Sequence, residues 1–142
     1  MIGKIMKSAA VVSSGTTVQQ AVEAMTQNRT GACVVIDDGR LVGLFTERDV
    51  MSRVVVKKLD PAKVPIGEVC TKQLVTASPD MAEAVALRTM IERHIRHLPV
   101  VDAKGAFLGM LSLRRLLQER VDELSLQLEE LHAYVTADAL GG

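Results

Sequence analysis

Aromatic residues are almost missing from this chain: two Phe, one Tyr and no Trp among 142 residues. Sequence-tolerant binding of single-stranded nucleic acid needs aromatic faces on which bases can stack, so that class of function has no platform here. Cysteine is scarce too. Cys33 and Cys70 are far apart in the chain, form no Cys-x-x-Cys pair and have no clustered histidine beside them. That excludes a zinc-type ligand set and predicts no metal, with both cysteines as reduced structural thiols. His94, His97 and His132 do not complete such a set. No run of 18 apolar residues occurs, and Met1 to Lys7 carries charge without the apolar stretch of a signal peptide. The expectation is a soluble cytoplasmic protein with no membrane contact. Also lacking are a Ser/His/Asp or Cys/His set, paired acids at metal spacing and a Gly-rich phosphate loop ending in Lys. An enzyme is therefore not expected.

What is present is abundant aliphatic residue content, 48% hydrophobic in all, enough to bury a core in a chain of this length. The formal net charge is zero but unevenly spread: residues 1–118 hold 16 Lys/Arg against 11 Asp/Glu, and 119–142 hold one Arg against six acids. An excess of five positive charges can attract a small anion, yet it is no nucleic-acid footprint.

The strongest feature is internal repetition. Ile2-Gly3-Lys4-Ile5-Met6 returns as Ile66-Gly67-Glu68-Val69-Cys70, and Val11-Val12-Ser13-Ser14 as Val75-Thr76-Ala77-Ser78, both displaced by 64. Cys33-Val34-Val35-Ile36-Asp37 returns as Leu98-Pro99-Val100-Val101-Asp102 at 65, and Gly43-Leu44-Phe45-Thr46 as Gly109-Met110-Leu111-Ser112 at 66. One added residue is assigned to the helix before Met90 and the other to the Asp-Gly turn region, where insertions are tolerated.

Both copies follow one plan. A short strand (Val11-Val12; Leu74 to Thr76) leads through turn residues into a helix whose apolar positions are Val18, Ala21, Val22 and Met25, or Val85, Leu87, Met90 and Ile91. Two apolar runs split by Asp38-Gly39 or Lys104-Gly105 predict a hairpin, and Thr46 or Ser112 stands where a hydroxyl caps a closing helix, Glu47 to Val56 or Leu113 onward. The predicted fold is α+β: two β-α-β-β-α repeats, residues 1–56 and 66–118, packed sheet to sheet around a joint core with clefts between them. Residues 57–65 form the linker and 119–142 a C-terminal amphipathic helical extension.

The segment Gly43-Leu44-Phe45-Thr46-Glu47-Arg48-Asp49, the segment Arg96 to Asp102 and the duplication together resemble the CBS-domain pair, or Bateman module, over about residues 1–118. That resemblance implies a regulatory module for an adenine nucleotide or another adenosyl ligand, AMP, ADP, ATP, S-adenosylmethionine or NAD, with no cofactor required. It implies that the Thr46 hydroxyl and Asp49 carboxylate hold a ribose, since a carboxylate accepts from both vicinal hydroxyls and a helix start offers backbone donors. The plainer reading is that Thr46 is only a helix cap and Asp49 only complements the helix dipole. The resemblance also implies that Val75, Thr76 and Ile95 surround the adenine, with Arg96 and His97 near a phosphate, where a guanidinium fork and a titratable imidazole suit an anion. Arg48 and Arg53 remain unassigned.

The second copy departs from the pattern. Arg115 stands where the ribose carboxylate would be, and guanidinium has donors only. A second, weaker site from Thr30, Gly31, Ala32, Ser112 and Arg115 is empty, blocked or suited to a more anionic ligand, so one ligand per chain is expected. In the extension, Leu117, Val121, Leu124, Leu128, Leu131 and Val135 follow steps of 4, 3, 4, 3 and 4. This seam either folds back on its own domain or meets a second copy or a partner helix. A homodimer, with a protein partner reading the ligand, is expected; the alternative is a scaffold with a lapsed pocket acting through this helix.

Overall fold

The computed structural model of the protein describes residues 1–141. Gly142, the last residue of the predicted extension, lies outside them. The elements run β1 (Ala10–Val12), α1 (Val18–Gln27), β2 (Ala32–Asp37), β3 (Arg40–Thr46) and α2 (Glu47–Asp49) in the first repeat, then α3 (Glu83–Glu92), β4 (His97–Val101), β5 (Phe107–Ser112) and α4 (Leu113–Gly141) in the second. Two mixed α+β repeats thus pack sheet to sheet with a C-terminal helix, as the sequence predicts, but around two separate cores instead of the joint one expected.

In the first repeat β1 pairs parallel with β2, which pairs antiparallel with β3. The second repeat keeps the β4–β5 hairpin, but its first strand shrinks to one parallel bridge, Ala77 with Val100, instead of the strand expected at Leu74 to Thr76. Ala77 therefore corresponds to Val12, which faces Val35, a displacement of 65 and not 64. The added residue lies between Thr71 and Ala77, ahead of the helix, because Ala86 and Met90 are buried on α3 just as Ala21 and Met25 are on α1. This corrects the helix face as well. Val85 and Ile91, expected in the core, are about half exposed, and Ala86 and Met90 hold the buried positions.

Each core is completed by the other repeat. Ile2 and Ile5 pack among Met90, Leu98, Val100 and Leu111, while Ile66, Val69 and Cys70 pack among Val18, Met25, Cys33 and Phe45. The crossing segments extend the opposite sheet edges: Thr71 and Leu44 exchange backbone hydrogen bonds at 2.8 and 2.9 Å, and Lys7 and Met110 do so at 2.9 and 2.7 Å. Glycine permits both exchanges. A Cβ at Gly43 would stand 2.5 Å from Cys70 Sγ, and one at Gly109 would stand 3.1 Å from the Lys7 carbonyl oxygen, so side chains there would push the added edge away.

The closing helix of the first repeat widens after Asp49. Val50–Val55 is a π-helical segment, in which the Val56 N–H reaches the Met51 carbonyl at 2.9 Å and Leu59 reaches Val54 at 3.0 Å. Its counterpart α4 runs on unbroken to Gly141, and from Arg120 through Ala139 every residue is exposed. The fold-back alternative for the seam is thereby corrected: beyond Leu116, which is buried in the second core, this helix leaves the domain. No helix among the described residues is long and apolar enough to cross a membrane.

Candidate functional site

The end of β3 and the start of α2 form a reciprocal cap. The Asp49 N–H donates to Thr46 Oγ1 at 3.3 Å, and the Thr46 N–H donates to Asp49 Oδ2 at 3.0 Å. A Thr three residues before an Asp produces this locally, so the capping role expected for Thr46 is present in full. It is not the whole account of Asp49. Among the described residues Asp49 is the buried charged side chain, 8% exposed, and its other oxygen lies 3.4 Å from Arg53 Nε. Arg53 in turn donates to the Val69 and Cys70 carbonyls at 3.4 and 3.3 Å. With one cap contact and one ion pair, a carboxylate keeps further lone pairs free to accept.

Those lone pairs border a cavity of about 230 Å³. One wall is Thr46, Glu47, Arg48 and Asp49 from the first repeat, and the facing wall is His94, Ile95, Arg96 and His97 from the turn into β4. Leu44, Gly31 and Thr71 complete it. Five of the predicted residues thus meet: Thr46, Asp49, Ile95, Arg96 and His97. Val75 and Thr76 are not among the lining residues. Val75 packs against the second core and Thr76 is exposed, a consequence of the one-residue displacement that gives Ala77 the strand position. Leu44 and Ile95 supply the apolar surface of the cavity.

Sequence reading missed Leu44, Glu47, Thr71 and His94, left Arg48 unassigned and gave Gly31 to the second site. Thr71 arrives only through its edge pairing with Leu44, which no local pattern signals. His94 takes φ +55° just after the α3 C-terminus and turns the chain toward Ile95; its place directly before Ile95-Arg96-His97 was the available clue.

His97 titrates below its ordinary value. Burial disfavours the imidazolium, Glu47 opposes this and the Arg96 guanidinium adds to it. Burial pushes the Cys33 thiol up to about 12, with Cys70 and Asp49 acting in the same direction, and Cys70 is raised by burial too. Both cysteines are free, buried thiols, inert as nucleophiles. No group of His, Cys, Asp and Glu among the described residues could hold a metal ion.

The related position in the second repeat has exchanged its charges. Ser112 caps α4 by accepting from the Arg115 N–H at 3.1 Å, and Arg115 pairs with Glu119 at 3.0 Å where the first repeat pairs Asp49 with Arg53. Arg115 Nε is buried with no hydrogen-bond partner among the described residues. The remaining residues of the predicted weaker site are dispersed. Thr30 and Gly31 line a hollow with Met25 and Val50, Ser112 lines another with Arg96 and Leu117, and Ala32 is paired with Thr46 within the sheet.

A buried carboxylate thus faces basic residues across a cleft between two repeats of one architecture. The CBS domain model matches residues 2–56 and again 66–122, and the chain belongs to the CBS domain family. It is 32% identical to the mitochondrial CBS domain-containing protein CBSX3 of Arabidopsis thaliana, over 94% of this chain and 71% of that protein. It is 35% identical to the CBS domain-containing protein YhcV of Bacillus subtilis, over 73% of each. Among solved structures, a CBS domain protein of Pyrobaculum aerophilum complexed with AMP superposes with a TM-score of 0.77 at 27% identity, covering 89% of this chain and 97% of that one.

Proposed function

We propose that this chain is a regulatory, non-enzymatic module of the cytoplasm that binds one adenosyl ligand in the cleft between its repeats and reports occupancy to a protein partner. The carrying observation is the buried Asp49 carboxylate beside Thr46, facing Arg96 and His97 across a cavity of about 230 Å³. The ribose hydroxyls donate to Asp49, the adenine lies against Leu44 and Ile95, and phosphate oxygens accept from Arg96 and His97. AMP bound to a relative of the same fold supports the ligand class. A thermal-shift panel of adenosine, AMP, ADP, ATP, S-adenosylmethionine and NAD tests it. At 100 Kd a ligand that binds only the folded state stabilises it by about 2.7 kcal/mol. If none of the panel raises the melting temperature, the scaffold alternative, with its exposed α4, takes its place.

Phosphate dependence follows from the two basic residues. AMP or ATP is expected to bind more tightly than adenosine, and Arg96→Ala to narrow that gap, as read by calorimetry. Equal affinities for adenosine and AMP in the wild type would remove Arg96 and His97 from the site.

A pH dependence accompanies it. His97 in the unliganded fold titrates below 6.5, so its contribution to stability is present above 6.5 and lost as pH falls through the folded value. A bound phosphate favours the imidazolium and reverses that shift, so binding takes up a proton. The preference for AMP over adenosine is expected to widen as pH falls from about 8 towards 7, where a phosphate titrating near 6 is still mostly dianionic. His97→Gln should flatten that trend, and a wild-type preference that does not vary with pH contradicts it.

A further inference from the structure

We infer that α4 pairs with the α4 of a second copy of this chain as a parallel two-stranded coiled coil. The helix is 29 residues long and its own domain covers only its beginning. Leu117, Val121, Leu124, Leu128, Leu131 and Val135 are 43 to 67% exposed and recur at heptad spacing over about 19 residues, or ~28 Å of helix. The register places Leu117, Leu124 and Leu131 at d and Val121, Leu128 and Val135 at a. Leu at every d with β-branched Val at two of three a positions is the combination that favours two parallel strands.

Charge selects the occupant. The positions flanking the seam are Gln118, Ser125 and His132 on one side and Arg120, Gln127 and Tyr134 on the other, with no acid among them. Glu119, Asp122, Glu123, Glu129 and Glu130 lie on the remaining faces, where Arg120 is tied to Glu123 at 3.1 Å and Glu119 to Arg115 at 3.0 Å. An identical helix therefore meets no like-charged acidic flank. A basic partner helix finds nothing beside the seam to recognise. The acids instead surround the outside of the pair.

The test uses the full chain. Sedimentation equilibrium of L124E/L128E should show association at least tenfold weaker than wild type, whereas L126E, equally exposed but outside the seam, should associate normally. Orientation is read separately by oxidation of L117C and L131C, since Cys33 and Cys70 are buried. In a parallel pair each variant cross-links to itself. Unchanged association in L124E/L128E, an equal loss in L126E, or cross-linking found only between L117C and V135C overturns the inference. The cross-links also decide the matter if the doubly charged variant folds poorly. Adenosyl binding at Asp49 is unaffected by any of these outcomes, so the ligand reading stands or falls independently.

Discussion

Asp49→Ala is expected to weaken adenosyl-ligand binding by about 1.5–3 kcal/mol, the range for hydrogen bonds to a charged group, or roughly 10- to 150-fold. The carboxylate is buried at the cleft, and the second repeat, with Arg115 at the matching position, offers no acceptor in its stead. Binding at about one site per chain follows. The substitution also removes the acceptor of the Thr46 N–H and the partner of Arg53. Only that half of the reciprocal cap is lost, because the Thr46 hydroxyl still accepts from the residue-49 N–H, so the cost stays below the ~1 kcal/mol of a whole N-cap. The Arg53 pair adds at most a similar amount, since the guanidinium is 45% exposed and screened by solvent. Asp49→Asn separates the two effects. The amide oxygen can still accept from the Thr46 N–H, but the NH2 then faces Arg53 and that ion pair is lost, so the melting temperature should fall less than in Asp49→Ala while affinity falls with the lost charge. Two equal sites per chain by calorimetry, or full affinity in Asp49→Ala, would remove Asp49 from ribose binding.

The larger effect on the fold itself is expected from Phe45→Ala. Phe45 is fully buried on β3 opposite Cys33 and packs where α1, β2 and the crossing segment Ile66 to Cys70 meet. Truncating a buried Phe leaves a cavity and typically costs about 3–5 kcal/mol, a large share of the 5–15 kcal/mol that holds a domain together. Urea unfolding should show a lower midpoint with an unchanged slope, because the native surface is altered little. Because the first core includes Ile66, Val69 and Cys70, the damage should spread to both repeats in one transition. A midpoint within the error of wild type would mean that the site collapses without cost.

Much of this was legible in the chain. The duplication, the two hairpins, α1 with Val18, Ala21 and Met25 inward, and the Thr46–Asp49 cap are local or self-similar patterns, and local hydrogen bonding and helical periodicity suffice to produce them. The departures lie in the second repeat. Matching Val11-Val12 to Val75-Thr76 set the second repeat one residue out of phase ahead of the helix, and only the pairing of Ala77 with Val100 corrects it. The first-strand position thereby moves from Val75-Thr76 to Ala77, and a strand of one bridge leaves no periodicity to read, while on α3 the apolar spacing admitted Val85 and Ile91 beside the buried Ala86 and Met90.

The residue types of the sequence by themselves determined two repeats, the cap that orients Asp49, the charge reversal at Arg115 and a heptad seam in the extension. Each depends on groups within a few positions of one another or on the repeat of a pattern along the chain. The exchange of Ile2 and Ile5 for Ile66 and Val69 between the cores, the arrival of Thr71 beside Leu44, and the departure of α4 from its own domain were decided only in three dimensions. An apolar residue in a sequence carries no record of which core will bury it. That choice belongs to the packing of the whole chain, where glycines at 43 and 109 let one repeat's backbone close against the edge of the other.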